Sequence, residues 1–97
     1  MRTNSSKKLS KQFLETKFNY LYAHGRECEI ESLILSASIP SDSKEILLWR
    51  YRDNLLIKQL GVLLQEKLNL AQPLSDRQVD RRLLKACDEL FDALIAS

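Results

Sequence analysis

Turn-forming and chemically reactive residues are scarce in this 97-residue chain, which has two glycines, two prolines, two cysteines and one histidine. Each scarcity excludes something. So few glycines and prolines cannot punctuate the many short strands of a sandwich or barrel, and they leave helix formers to dominate. Two cysteines are too few for a secreted disulfide framework, and Cys28 and Cys87 lack metal-ligand spacing, so both are expected to be reduced core residues. A single histidine and two glycines supply no nucleophile–base pair, metal cluster or phosphate loop. The chain is therefore expected not to be an enzyme, with no metal and no cofactor. His24, next to Gly25 at a helix end, is expected simply to bond the last carbonyls. The polar, basic stretch Met1 to Lys11 precedes no apolar run of signal-peptide or membrane-spanning length, so a cytoplasmic location and no membrane partner are expected.

Apolar residues make up 44% of the chain, with leucine by far the commonest, which suits one ordinary domain that closes its core without staples. The expected fold is all-α, a small bundle of four to five helices over residues 8–97 behind a disordered basic arm at 1–7. Leu9, Phe13, Leu14, Phe18, Leu21 and Tyr22 recur at spacings of three and four, painting one face of a first helix that Gly25 ends in a left-handed cap. A second helix covers about Glu27 to Ser36, its first turns lined by Glu27, Glu29 and Glu31, which complement the helix dipole. After Pro40, Asp42 with Glu45 has capping-box spacing and predicts a third helix from near Ser43. From Ile46 to Leu68 apolar residues are dense on most sides, which places this segment at the core or in a dimer seam. The residues leave open whether it is one helix or two broken at Asp53-Asn54, since asparagine could cap a new helix but nothing enforces a stop. Ser75 with Gln78 makes a second capping box for a last helix whose seam is Val79, Leu83, Ala86 and Leu90, widened by Leu84, Cys87 and Phe91.

The net charge of +2 is small, but its distribution is uneven. The last helix carries Arg77, Arg81, Arg82 and Lys85 in its N-terminal half and Asp88, Glu89 and Asp92 in its C-terminal half, the reverse of what the dipole favours. Cations at a helix start suit a DNA reader, because backbone N–H groups, dipole and side chains then address phosphates together. The bland alternative is that Asp76 and Asp80 neutralise the arginines and leave a solvated face.

The residues Ile46-Leu47-Leu48-Trp49-Arg50-Tyr51-Arg52-Asp53, then Ile57-Lys58-Gln59-Leu60-Gly61-Val62, then Ser75 to Leu83 with Ala86 and Leu90, carry a family resemblance. The segment from Lys44 to Leu94 resembles the C-terminal helix-turn-helix of bacterial sigma factors and of small phage regulators built on the same trihelix. The resemblance implies a recognition helix from Ser75 with Arg77, Gln78, Arg81 and Arg82 as DNA contacts. It departs from the family between Leu60-Gly61-Val62 and Ser75, where Leu63 to Leu74 replace a tight turn.

Two functions are expected to compete. In the first, a small DNA-binding transcriptional regulator uses Arg77, Gln78, Arg81, Arg82 and Lys85, with Arg2, Lys7, Lys8 and Lys11 adding phosphate contacts, and works as a homodimer. In the second, a helical adaptor or inhibitor binds a protein partner through the apolar surface of 46–68, with Trp49, Tyr51, Leu56, Leu60 and Leu63 as contacts. The apolar run from Leu55 to Leu64 is the motive for expecting a dimer.

Overall fold

The computed structural model describes residues 4–96, with side chains from Ser6 onward, and among them there are helices and no strand. Helix α1 is Asn4–Ala23, α2 Glu27–Leu35, α3 Ser41–Leu47, continued by a π-helical turn Leu48–Arg52, α4 Ile57–Leu68 and α5 Asp76–Ala96. The expected all-α bundle is what forms. The arm expected at 1–7 is helical from Asn4, and its first three residues lie outside the described ones.

Three helix ends share one device. After α1 the Arg26 amide donates to the Leu21 carbonyl at 2.9 Å and Gly25 takes φ 69°. After α4 the Leu70 amide donates to Gln65 at 3.0 Å and Asn69 takes φ 56°. These are left-handed caps that satisfy otherwise orphaned carbonyls. After the π-helical turn Asn54 takes φ 55° and the Leu55 amide reaches back to Trp49 at 3.0 Å, one residue wider than after an α-helix. Asparagine tolerates the left-handed region better than other non-glycine residues, so a chain with two glycines still ends three helices cleanly. Asn54 thus breaks the 43–69 segment into two helices by ending the first rather than capping the second. Arg50 Nη1 braces this corner by donating to the Leu55 carbonyl at 2.7 Å.

The start of α3 differs from expectation. It begins at Ser41 behind Pro40 with no side-chain cap. Asp42 and Glu45 instead both accept from the Lys67 ammonium, the former at 3.0 Å, and so tie α3 to α4. A base from α4 competes better for these carboxylates than a backbone amide does, because charge-assisted bonds are the stronger ones.

Helix α5 is the centre of the molecule, touching α1, α3 and α4, while α2 packs on the π-helical turn and on α1. Its predicted seam of Val79, Leu83, Ala86 and Leu90 is fully buried, in a core that also holds Leu14, Phe18, Ile30, Ile34, Leu47 and Leu60. The extents of 39 × 35 × 20 Å describe a slab two helices thick. In α1 the core side is Ser10, Leu14, Phe18 and Leu21, whereas Leu9 and Tyr22 point outward and Phe13 lies at the margin with its ring against Phe91 of α5, centroids 5.5 Å apart, which corrects the single face expected from their spacing. A polar residue takes the inner position because the hydroxyl of Ser10 is satisfied within the helix, donating to the Ser6 carbonyl at 3.1 Å. Cys28, expected in the core, is exposed, and only Cys87 is buried.

The loop between α4 and α5 lies back on α4. Gly61 is buried, and a Cβ there would stand 2.6 Å from the Leu74 carbonyl oxygen and 3.7 Å from the Val79 side chain. The segment 69–75 therefore approaches α4 at a distance only glycine allows, which seats the start of α5.

Candidate functional site

The start of α5 is closed by a reciprocal pair of bonds. The Gln78 amide donates to Ser75 Oγ at 3.2 Å and the Ser75 amide donates to Gln78 Oε1 at 2.9 Å, the capping box read from the sequence. Beyond it, Arg77, Gln78, Arg81, Arg82 and Lys85 are all exposed. Their spacings of one, three, one and three put them on a single stripe over two turns, opposite the buried Val79–Leu83–Ala86 side. Among the described residues none of the four bases makes a salt bridge, with Asp76, Asp80 or any other acid. The ion pairs that form lie elsewhere, Arg52 to Glu31 at 2.8 Å and to Asp53 at 2.9 Å, Arg26 to Glu29, and Lys67 to Asp42 and Glu45. Gln78 is partly committed, since its oxygen is engaged in the cap and its Nε2 remains as donor.

The stripe borders grooves on both of its sides. On one side Arg77 and Arg81 line a groove with Lys8, Lys11 and Glu15 of α1. On the other, Arg82 and Lys85 share a groove of about 160 Å³ with Trp49, Ile46 and Lys67. That these bases of α1 and α5 line one groove is not visible in the sequence, because nothing in a spacing shows which helices lie side by side.

Of the residues expected to bind a protein partner, two are inside the molecule. Tyr51 and Leu60 are buried and belong to the core, which corrects their assignment as contacts. Trp49 and Leu63 are half-buried, and Leu56 is 66% exposed at the N-terminus of α4. Tyr51 is turned inward because its ring packs on Phe18 with centroids 5.0 Å apart, while its hydroxyl donates to Glu15 Oε2 at 3.0 Å and lies 3.5 Å from Cys87 Sγ. His24 sits where expected, its Nδ1 donating to the Tyr20 carbonyl at 2.8 Å.

Burial, with the neighbouring Cys87 and Glu15, pushes the Tyr51 phenol well above the usual tyrosine range, and burial pushes the Cys87 thiol up to about 11. Both groups are held protonated in the folded chain at pH values where the unfolded chain releases the proton. The folded state then binds more protons, so stability falls as pH rises. For Cys87 the loss starts above its ordinary value of 9.0 and reaches about 3 kcal/mol beyond pH 11. Urea unfolding at pH 8 and pH 10.5 should therefore show a clear drop in midpoint at the higher pH. An unchanged midpoint would contradict the buried pair.

Among the described residues no group of three or more histidine, cysteine, aspartate or glutamate side chains could hold a metal ion, and no helix is long and apolar enough to cross a membrane. The molecule is a small all-α bundle with an exposed, unpaired basic stripe on its central helix. Neither a protein-family model, nor a curated protein, nor a solved structure matches the chain.

Proposed function

We propose that the chain is a small, non-catalytic, cytoplasmic DNA-binding transcriptional regulator with α5 as its recognition helix. The observation that carries this reading is the exposed stripe Arg77, Gln78, Arg81, Arg82 and Lys85, whose four bases have no ion-pair partner among the described residues. Four unpaired cations along one helical face cost stability through mutual repulsion and through the helix dipole. A phosphate backbone would supply the missing countercharge, and a helix of this diameter enters a major groove about 12 Å wide. Arginine suits guanine edges, while Gln78 can donate from Nε2 without opening the cap. The resemblance of 44–94 to the sigma-factor helix-turn-helix belongs to the same proposal. In place of the family's tight turn, the contact of Leu74 with Gly61 would fix α5 against α4.

The direct test is duplex binding followed by fluorescence anisotropy between 50 and 200 mM KCl. Four phosphate contacts give a log–log slope of about −3.6. Absence of salt-dependent binding would sink the reading and favour the adaptor, whose partner would have to seat on Leu56, Trp49 and Leu63.

Homodimerisation is part of the proposal, since two copies supply the contact area a specific site needs. The side chains of Leu55 to Leu64 are largely used by the chain's own core, with Leu60 and Leu64 buried. Exposed apolar side chains left for a second copy to cover include Leu9, Leu56 and Ile95, which are 67%, 66% and 64% exposed. Sedimentation at high micromolar concentration should show a dimer, and Leu9→Asp should return it to monomer. A wild type that stays monomeric would rule the dimer out.

A further inference from the structure

We infer that the groove between α1 and α5 is a phosphodiester track, holding one backbone strand of a bound duplex between Lys8 and Lys11 on one wall and Arg77 and Arg81 on the other. The inference rests on the DNA-binding reading and adds to it the place of a second contact.

The groove measures about 790 Å³. Its four cations come from helices at opposite ends of the chain, so no local sequence feature requires them to be together. None of the four makes an ion pair or side-chain hydrogen bond among the described residues. On each wall the two bases are three or four residues apart on a helix, which sets their Cβ atoms about 5–6 Å from each other. The groove thus offers two short rows of positive charge facing a common channel. Two acids also line it, Glu15 and Asp80. Glu15 is occupied as acceptor for the Tyr51 hydroxyl. Asp80 is exposed, and its charge opposes an incoming phosphate. With four bases against two acids the groove is net positive, and Asp80, the acid with no hydrogen-bond partner among the described residues, gives a test whose sign a structural role would not produce.

Lys8 and Lys11 contact phosphate only, so they act on every sequence alike, whereas Arg82 and Lys85 lie on the other side of the stripe. The experiment uses the full chain and a fluorescein-labelled 20-base-pair duplex of mixed sequence, titrated from 50 to 200 mM KCl. Lys8→Ala with Lys11→Ala should lower the salt slope by roughly two units and weaken binding about 10–100-fold at 100 mM. Asp80→Asn should tighten binding several-fold and leave the helical spectrum unchanged. Lys17→Ala with Lys58→Ala, two exposed bases away from the groove, should change binding less than twofold. If the Lys8/Lys11 variant keeps the wild-type slope while Arg82→Ala with Lys85→Ala loses it, the track is wrong and the DNA-binding reading stands. If Asp80→Asn binds no better than wild type, the track is likewise overturned. A wild type with no salt-dependent binding overturns both.

Discussion

Replacing Arg77, Arg81 and Arg82 together by alanine is expected to cut duplex affinity by about 10²–10³-fold at 100 mM salt, while the protein stays folded. Each lost phosphate contact removes about 0.9 from the salt slope, so three remove between two and three units. The fold should survive because all three side chains are exposed and bonded to nothing in the described chain, and the seam they flank is made by Val79, Leu83 and Ala86. Alanine also raises helix propensity slightly and relieves charges that oppose the dipole at the start of α5. Thermal unfolding by circular dichroism should therefore show an equal or slightly higher midpoint for the triple variant. A protein that unfolds would mean that the arginines hold the structure, and the recognition-helix reading would then fail together with the assignment of the stripe.

Gly61→Ala is expected to go the other way, destabilising the fold while leaving every candidate contact in place. In an ordinary helix interior the change to alanine gains about 1 kcal/mol. Here the new methyl would lie 2.6 Å from the Leu74 carbonyl oxygen, which is backbone and cannot swing aside as a flexible side chain would. Overpacking of this kind costs about 1–3 kcal/mol, and pushing the loop away also lengthens the bond from the Leu74 amide to the Gly61 carbonyl, already 3.4 Å. Set against the gain of about 1 kcal/mol, this leaves a net loss of up to about 2 kcal/mol, which corresponds to a drop in Tm of several degrees for a domain of this size. Because the loop seats α5, DNA affinity should fall as well, even though no base or arginine has changed. A rise in Tm would show that the loop gives way easily and that the close approach is incidental.

Much of the secondary structure could be read from local chemistry. The left-handed cap at Gly25, the capping box of Ser75 with Gln78 and the buried seam of α5 depend on residues a few positions apart, and short-range geometry decides such features wherever the chain folds. The left-handed caps at Asn54 and Asn69 were less visible, since asparagine serves both ends of helices and only the backbone shows which.

What local chemistry could not decide was every feature that depends on a distant partner. Asp42 and Glu45 have capping-box spacing, yet Lys67 from another helix takes their carboxylates. Leu9 and Tyr22 share their periodicity with Leu14 and Phe18, yet α1 has only one side against the bundle, and the position of α5 selects Ser10, Leu14, Phe18 and Leu21 for it. Tyr51 looked like a surface contact until Phe18, Glu15 and Cys87 enclosed it. The exposure of Arg77, Arg81, Arg82 and Lys85 was legible, because a helix with one apolar seam must present its opposite face. The meeting of Arg77 and Arg81 with Lys8 and Lys11 was not, since helical periodicity says which way a side chain points but not which helix lies beside it.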